Sequence, residues 1–160
     1  MIEPQEYRAR MQELQAEVRA YELDGFLVTA QDSIYYLTGV TYVPLERPFF
    51  ILVRPEDEVS LLAPALDQEH LASAPNIGRV LRYWDYPSPP DEGWPERLIQ
   101  LLSGITRLGI EPSVPLEIAV HLTGLRPLVM GLVEKLRLVK SPAEVQMLRQ
   151  AAHYADLGMQ

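Results

Sequence analysis

Short apolar runs recur along this chain, and the stretches between them carry their apolar residues at helical spacing. FLVTA (26–30) has no polar face, so it suits a strand covered on both sides rather than one with a wet surface. Before it, Tyr7, Met11, Leu14, Val18 and Tyr21 recur at steps of three and four, which predicts an amphipathic helix between Glu6 and Leu23 closed by Asp24-Gly25. A helix that hands over to a doubly covered strand begins an α/β pattern.

The pattern continues. DSIYYLTG (32–39) reads as a two-turn helix with Asp32 or Ser33 as N-cap and Gly39 as its stop, and in so short a helix at least one of Tyr35 and Tyr36 belongs in the core. PFFILVRP and VSLLAP flank a short polar link, the signature of a β-hairpin. ALDQEHLAS (65–73) is expected to be helical and GRVLRYWDY (78–86) a strand, with Trp84 packed in the core or, beside Asp85 and Tyr86 at the strand end, part of a contact surface. The proline-rich PSPPDEG (87–93) forms a loop that neither element can continue. WPERLIQLLS (94–103) follows as a helix with Pro95 in its first turn, then TRLGIEP as a strand, PLEIAVHLTG as a helix and PLVM as a last short strand. The expected fold is α/β, a mixed sheet of parallel strands plus an antiparallel hairpin, flanked by helices.

At the C-terminal end, SPAE predicts a sharply started helix. Ser141 caps it, Pro142 takes the first helical position, and Glu144 closes a capping box. Its stripe, Val145, Leu148, Ala152 and Ala155, is narrow and mostly small, which suits close approach to another element. On spacing alone that element is either this chain's own sheet, with Gly158 ending the helix, or protein beyond Gln160.

Several chemistries are excluded or unsupported. Cysteine is absent, which removes thiolate nucleophiles and cysteine metal sites. A net charge of -8 opposes a phosphate backbone, so nucleic acid is not an expected partner. No apolar run is long enough to span a membrane and the first fifteen residues carry charge where an export signal needs an apolar segment, so no membrane partner and a cytoplasmic location are expected. His70, His121 and His153 lie far apart and fit no HExxH pattern; each reads as a solvated residue, and no metal ligand is assigned. No GxSxG elbow, P-loop or dinucleotide fingerprint occurs.

Two stretches carry a resemblance. FLVTAQDSIYYLTGV resembles the strand–helix opening of the N-terminal domain of the creatinase and prolidase family, and LRLVKSPAEVQMLRQAAHYAD resembles the segment leading from that domain into the catalytic one. The resemblance implies that residues 1–139 form a creatinase/prolidase-type N-terminal domain and 140–160 a linker helix into a catalytic domain outside this chain. It implies a non-catalytic part of an Xaa-Pro dipeptidase or aminopeptidase, shaping access to the active site and mediating homodimerisation, with proline-containing peptides as substrate of the whole enzyme. No cofactor is assigned to this chain, whereas two divalent metals (Mn, Co or Zn), held by two aspartates, a histidine and two glutamates, are implied for the catalytic domain. The alternative is a free-standing α/β binding or interaction module without hydrolysis.

The loop before PFFILVRP holds the residues closest to chemistry. Arg47 offers a planar fork suited to a carboxylate, and the resemblance implies that it, with Tyr42, touches substrate in a neighbouring subunit. The structural alternative pairs Arg47 with an acidic neighbour and packs Tyr42 on the domain surface. Trp94 and Tyr86, on either side of the proline-rich loop, are the candidates for an interface, although Trp94 also suits a hydrophobic staple.

Overall fold

The computed structural model describes residues 2–42, 47–67, 74–85 and 87–159. Its elements run α1 (Pro4–Ala20), β1 (Gly25–Val28), α2 (Gln31–Thr38), β2 (Phe50–Val53), β3 (Val59–Pro64), β4 (Ile77–Tyr83), α3 (Trp94–Leu101), β5 (Leu108–Ile110), α4 (Leu116–Ala119), β6 (Leu128–Val129), α5 (Leu132–Leu138) and α6 (Pro142–Gly158). The strands form one six-stranded sheet in the order β4-β3-β2-β1-β5-β6. The hairpin β2–β3 is antiparallel, as is β1–β2, while β3–β4, β1–β5 and β5–β6 are parallel. The sheet is therefore mixed, with helices on both faces.

The continuous apolar runs have a direct cause, since each central strand feeds two cores. Phe26, Val28, Ile51, Val53, Leu61 and Ala63 point to the layer holding Met11, Leu14 and Val18 of α1, Ile34 and Leu37 of α2, and Leu132 and Val133 of α5. Their neighbours Leu27, Phe50, Leu52 and Leu62 point the other way, to Leu98 and Leu101 of α3 and Ile118 of α4. Successive strand residues face opposite sides, so a strand buried on both has no position left for a polar residue. Side chains crowd Gly109 in β5, where an added Cβ would lie 2.7 Å from Leu23, just before β1, and from Phe26 of β1.

Several expectations need correction. α2 begins at Gln31 and its N-cap is Ala30, so neither Asp32 nor Ser33 caps it; the N–H groups of Thr29 and Ala30 instead donate to Glu111 Oε2 at 2.8 and 2.9 Å. The Glu111 carboxylate, just past β5, thus holds the approach to α2 rather than the N–H groups of its first turn. Gly39 does end the helix, in the left-handed region at φ 73°. Of the tyrosine pair, Tyr36 is buried and Tyr35 exposed. PLEIAVHLTG keeps only four α-helical residues before tightening into a 3-10 segment, Val120–Leu125. ALDQEHLAS shows a 3-10 turn at Ala65–Asp67, and 68–73 lie outside the described residues. α5 was not anticipated: its seven residues are too few to display a helical period between PLVM and SPAE.

α6 starts as its sequence dictates. Ser141 Oγ accepts from Glu144 N at 3.1 Å and Glu144 Oε2 accepts from Ser141 N at 2.9 Å, a closed capping box. Its stripe does not fold back on the sheet: beyond Val145 every described residue is exposed, Leu148, Ala152 and Ala155 included. Gly158 lies within the helix, which is capped at Met159. At the opposite side of the sheet, β4 is an edge strand whose Gly78, Arg79 and Arg82 are exposed.

Candidate functional site

An open cleft of about 610 Å³ lies at the end of β4, where three segments converge. Arg47 and Pro48 enter from the stretch before β2, Tyr83, Trp84 and Asp85 from the end of β4, and Gly93 to Glu96 from the start of α3. Tyr83 is the floor. Its ring is 1% exposed and its hydroxyl donates to the Pro48 carbonyl at 2.8 Å, tying the β2 approach to β4. Trp84 N donates to the Glu92 carbonyl at 2.9 Å, which folds the proline-rich loop back so that α3 begins beside the strand end.

Arg47 stands on the rim. Its Nε pairs with Asp85 Oδ2 at 3.0 Å, and its side chain stays 43% exposed. Among the described residues Asp85 is its only ion-pair partner, so the pair anchors one edge of the guanidinium while the terminal nitrogens present a cation to the cleft mouth. Trp84 is also at the surface, 44% exposed, which corrects its expected core position. The strand ends at Tyr83, and Trp84 follows it at the cleft rim. Trp94 is half-buried against the core around Leu98 and meets His121 edge-on at 4.9 Å between ring centroids. As the first residue of α3 it does not hold the position before the cap that a staple requires.

Tyr42 lies beside this cleft rather than in its lining. Its hydroxyl donates to Asp67 Oδ2 at 2.9 Å and its ring packs at 4.7 Å from Phe49. Burial, with the Asp67 carboxylate accepting its proton, pushes its pKa up to about 12, and burial likewise raises that of Tyr83. Both phenols remain neutral donors through the physiological range. Arg47 pairs with an acidic residue, Asp85, as the structural alternative expected; Glu46 and Tyr86 lie outside the described residues.

The site offers recognition chemistry: a cation beside exposed indole surface. Among the described residues no three His, Cys, Asp or Glu side chains converge in a metal-binding group, and His121 and His153 are exposed. Of the two expectations for Trp84, the core position fails and the strand-end surface position holds. Its signal was positional, because it directly precedes Asp85 and the proline-rich loop, where a strand must end.

Residues 10–150 match the model of the creatinase/prolidase N-terminal domain. Among curated proteins, an uncharacterised peptidase of Staphylococcus aureus is 25% identical over 140 residues, covering 88% of this chain and 39% of its own length. A second, from Staphylococcus epidermidis, is 24% identical over 147 residues, covering 92% and 41%. The chain therefore spans about two fifths of these relatives. Among solved structures, the prolidase of Thermococcus sibiricus superposes with a TM-score of 0.79 at 22% identity, over 94% of this chain and 42% of that one. The creatinase/prolidase N-terminal domain of an X-Pro dipeptidase from Streptococcus pyogenes gives 0.67 at 18% identity, over 82% of this chain and 98% of that one. These structural likenesses bear on the fold.

Proposed function

Since the chain belongs to the creatinase/prolidase N-terminal domain family, we propose that it is the non-catalytic, substrate-shaping part of a proline-specific metallopeptidase that dimerises and works in the cytoplasm. Metal chemistry belongs in this reading to a catalytic domain joined through α6, where a pair of divalent ions would activate water for attack on the bond before proline. The contribution of residues 1–160 is geometric. Arg47, held by Asp85 at the mouth of the cleft, grips the carboxylate end of a short peptide bound to the neighbouring subunit. Trp84 offers a flat apolar wall beside it, Trp94 and Tyr86 belong to the contact between subunits, and Tyr42 stiffens the loop through Asp67. The observation that carries this reading is the exposed guanidinium, paired with Asp85, beside an exposed indole.

Two results test it. Residues 1–160 alone are expected to release no proline from Gly-Pro with added Mn²⁺, and hydrolysis abolished by EDTA would overturn the assignment. In the longer enzyme, Arg47→Ala should raise KM for a short Xaa-Pro substrate roughly 3- to 10-fold, since a charge-assisted bond at an exposed site contributes about 1 kcal/mol. The thermal midpoint should not move, because an exposed ion pair adds little to folding. Unchanged KM removes Arg47 from the site.

A further inference from the structure

We propose that the Arg10–Glu144 pair is the joint that sets the direction in which α6 leaves the body of the domain. Arg10 belongs to α1, yet its side chain is only 7% exposed. Its guanidinium carbon lies 4.1 Å from the centroid of the Tyr36 ring and 5.5 Å from that of Tyr7. One terminal nitrogen, Nη1, donates to the Tyr36 carbonyl at 3.0 Å; the other, Nη2, pairs with Glu6 and reaches Glu144 Oε1 at 3.5 Å. Tyr36 also extends its hydroxyl to the Leu136 carbonyl at 3.5 Å, so α1, α2, α5 and α6 meet around one planar cation. A guanidinium stacked on rings and bonded at both ends cannot swing as a lysine ammonium can.

Glu144 is the other half of the joint, and its two oxygens do different work. Oε2 closes the capping box on Ser141 N, and Oε1 faces Arg10. The carboxylate thus ties the start of α6 to the body of the domain. Past this first turn the helix stands off, and a cleft of about 390 Å³ lies between Met147 and Leu148 on α6 and Asp32 and Tyr35 on α2. Side-chain packing therefore does not fix its heading. Over 17 residues, about 25 Å of helix, a change of about 10° at the joint displaces the far end by about 4 Å. In the longer enzyme Arg10 would act as a positioning residue, aligning Arg47 with the site it serves; that consequence rests on the function proposed above, whereas the joint does not.

The test uses residues 1–160 themselves. The chain has no cysteine, so spin labels at Asp156→Cys and Glu117→Cys report the distance from the far end of α6 to α4 without competing thiols. The parent is expected to give one narrow distribution. Glu144→Gln retains a residue that completes a capping box but loses the charge facing Arg10, and should at least double the width while the helical circular dichroism signal holds. Arg10→Lys, which keeps the charge and loses the fork, should broaden it as well. Unchanged widths in both variants overturn the proposal, as does broadening of Glu144→Gln accompanied by loss of helical signal, which would assign Glu144 to capping alone.

Discussion

Arg10→Leu is expected to lower the free energy of unfolding by about 2–4 kcal/mol, seen as a lower urea midpoint at unchanged m-value. The substitution removes the donor to the Tyr36 carbonyl, the cation over two aromatic rings and the counter-charge of Glu6 and Glu144 together. Stranding partners of a buried charge costs about 3–5 kcal/mol when they are fully enclosed. Here both carboxylates are 23% exposed and recover part of their hydration, which sets the lower figure. A loss below about 0.5 kcal/mol, the ordinary range of surface substitutions, would mean that the cluster is ornamental.

Glu111→Leu should cost about 1–3 kcal/mol, because the N–H groups of Thr29 and Ala30 at the start of α2 lose their acceptor. The native carboxyl is itself under tension. It is 1% exposed, and burial raises its pKa against the opposing pull of the Ala30 N–H, the Ser33 hydroxyl and the Thr29 N–H. With the folded value above the unfolded one, the folded protein binds this proton more tightly. The stability it adds is fully present at acid pH, below the ordinary glutamate value near 4.5, and is lost as the pH rises through the raised value. Glu111→Gln should flatten that slope while its amide oxygen still accepts the two N–H bonds, so its midpoint should exceed that of Glu111→Leu at pH 7. A Gln variant retaining the parental pH slope would show that Glu111 is not its source.

Much of this fold was legible because the two periods of the sequence are clean. FLVTA, FFILV and VSLLA became strands because alternate residues face two separate cores, and the 4,3 spacing of Tyr7 to Val18 placed α1 with Met11, Leu14 and Val18 buried. SPAE gave the capping box atom for atom, since capping is local and its spacing fixed. Illegible features were those decided by distant groups. Glu111 holds the approach to α2 from 81 residues away, and no window around Asp32 contains that information. α5 holds too few residues to show a period, and the exposure of Trp84 depends on β4 ending at Tyr83, one residue before it. In the candidate site, the fork of Arg47 was readable from residue type, but its anchor, Asp85, is brought in by the parallel pairing of β3 with β4.

The outer rim of β4 has a consequence for the company this domain keeps. A bare strand edge is an invitation to copies of itself, and the commonest deterrent is charge. With Arg79 and Arg82 exposed there, two molecules aligning rim to rim would bring guanidinium groups together, so this border of the sheet discourages stacking into fibrous aggregates even though Ile77, Val80 and Tyr83 of the same strand are β-formers.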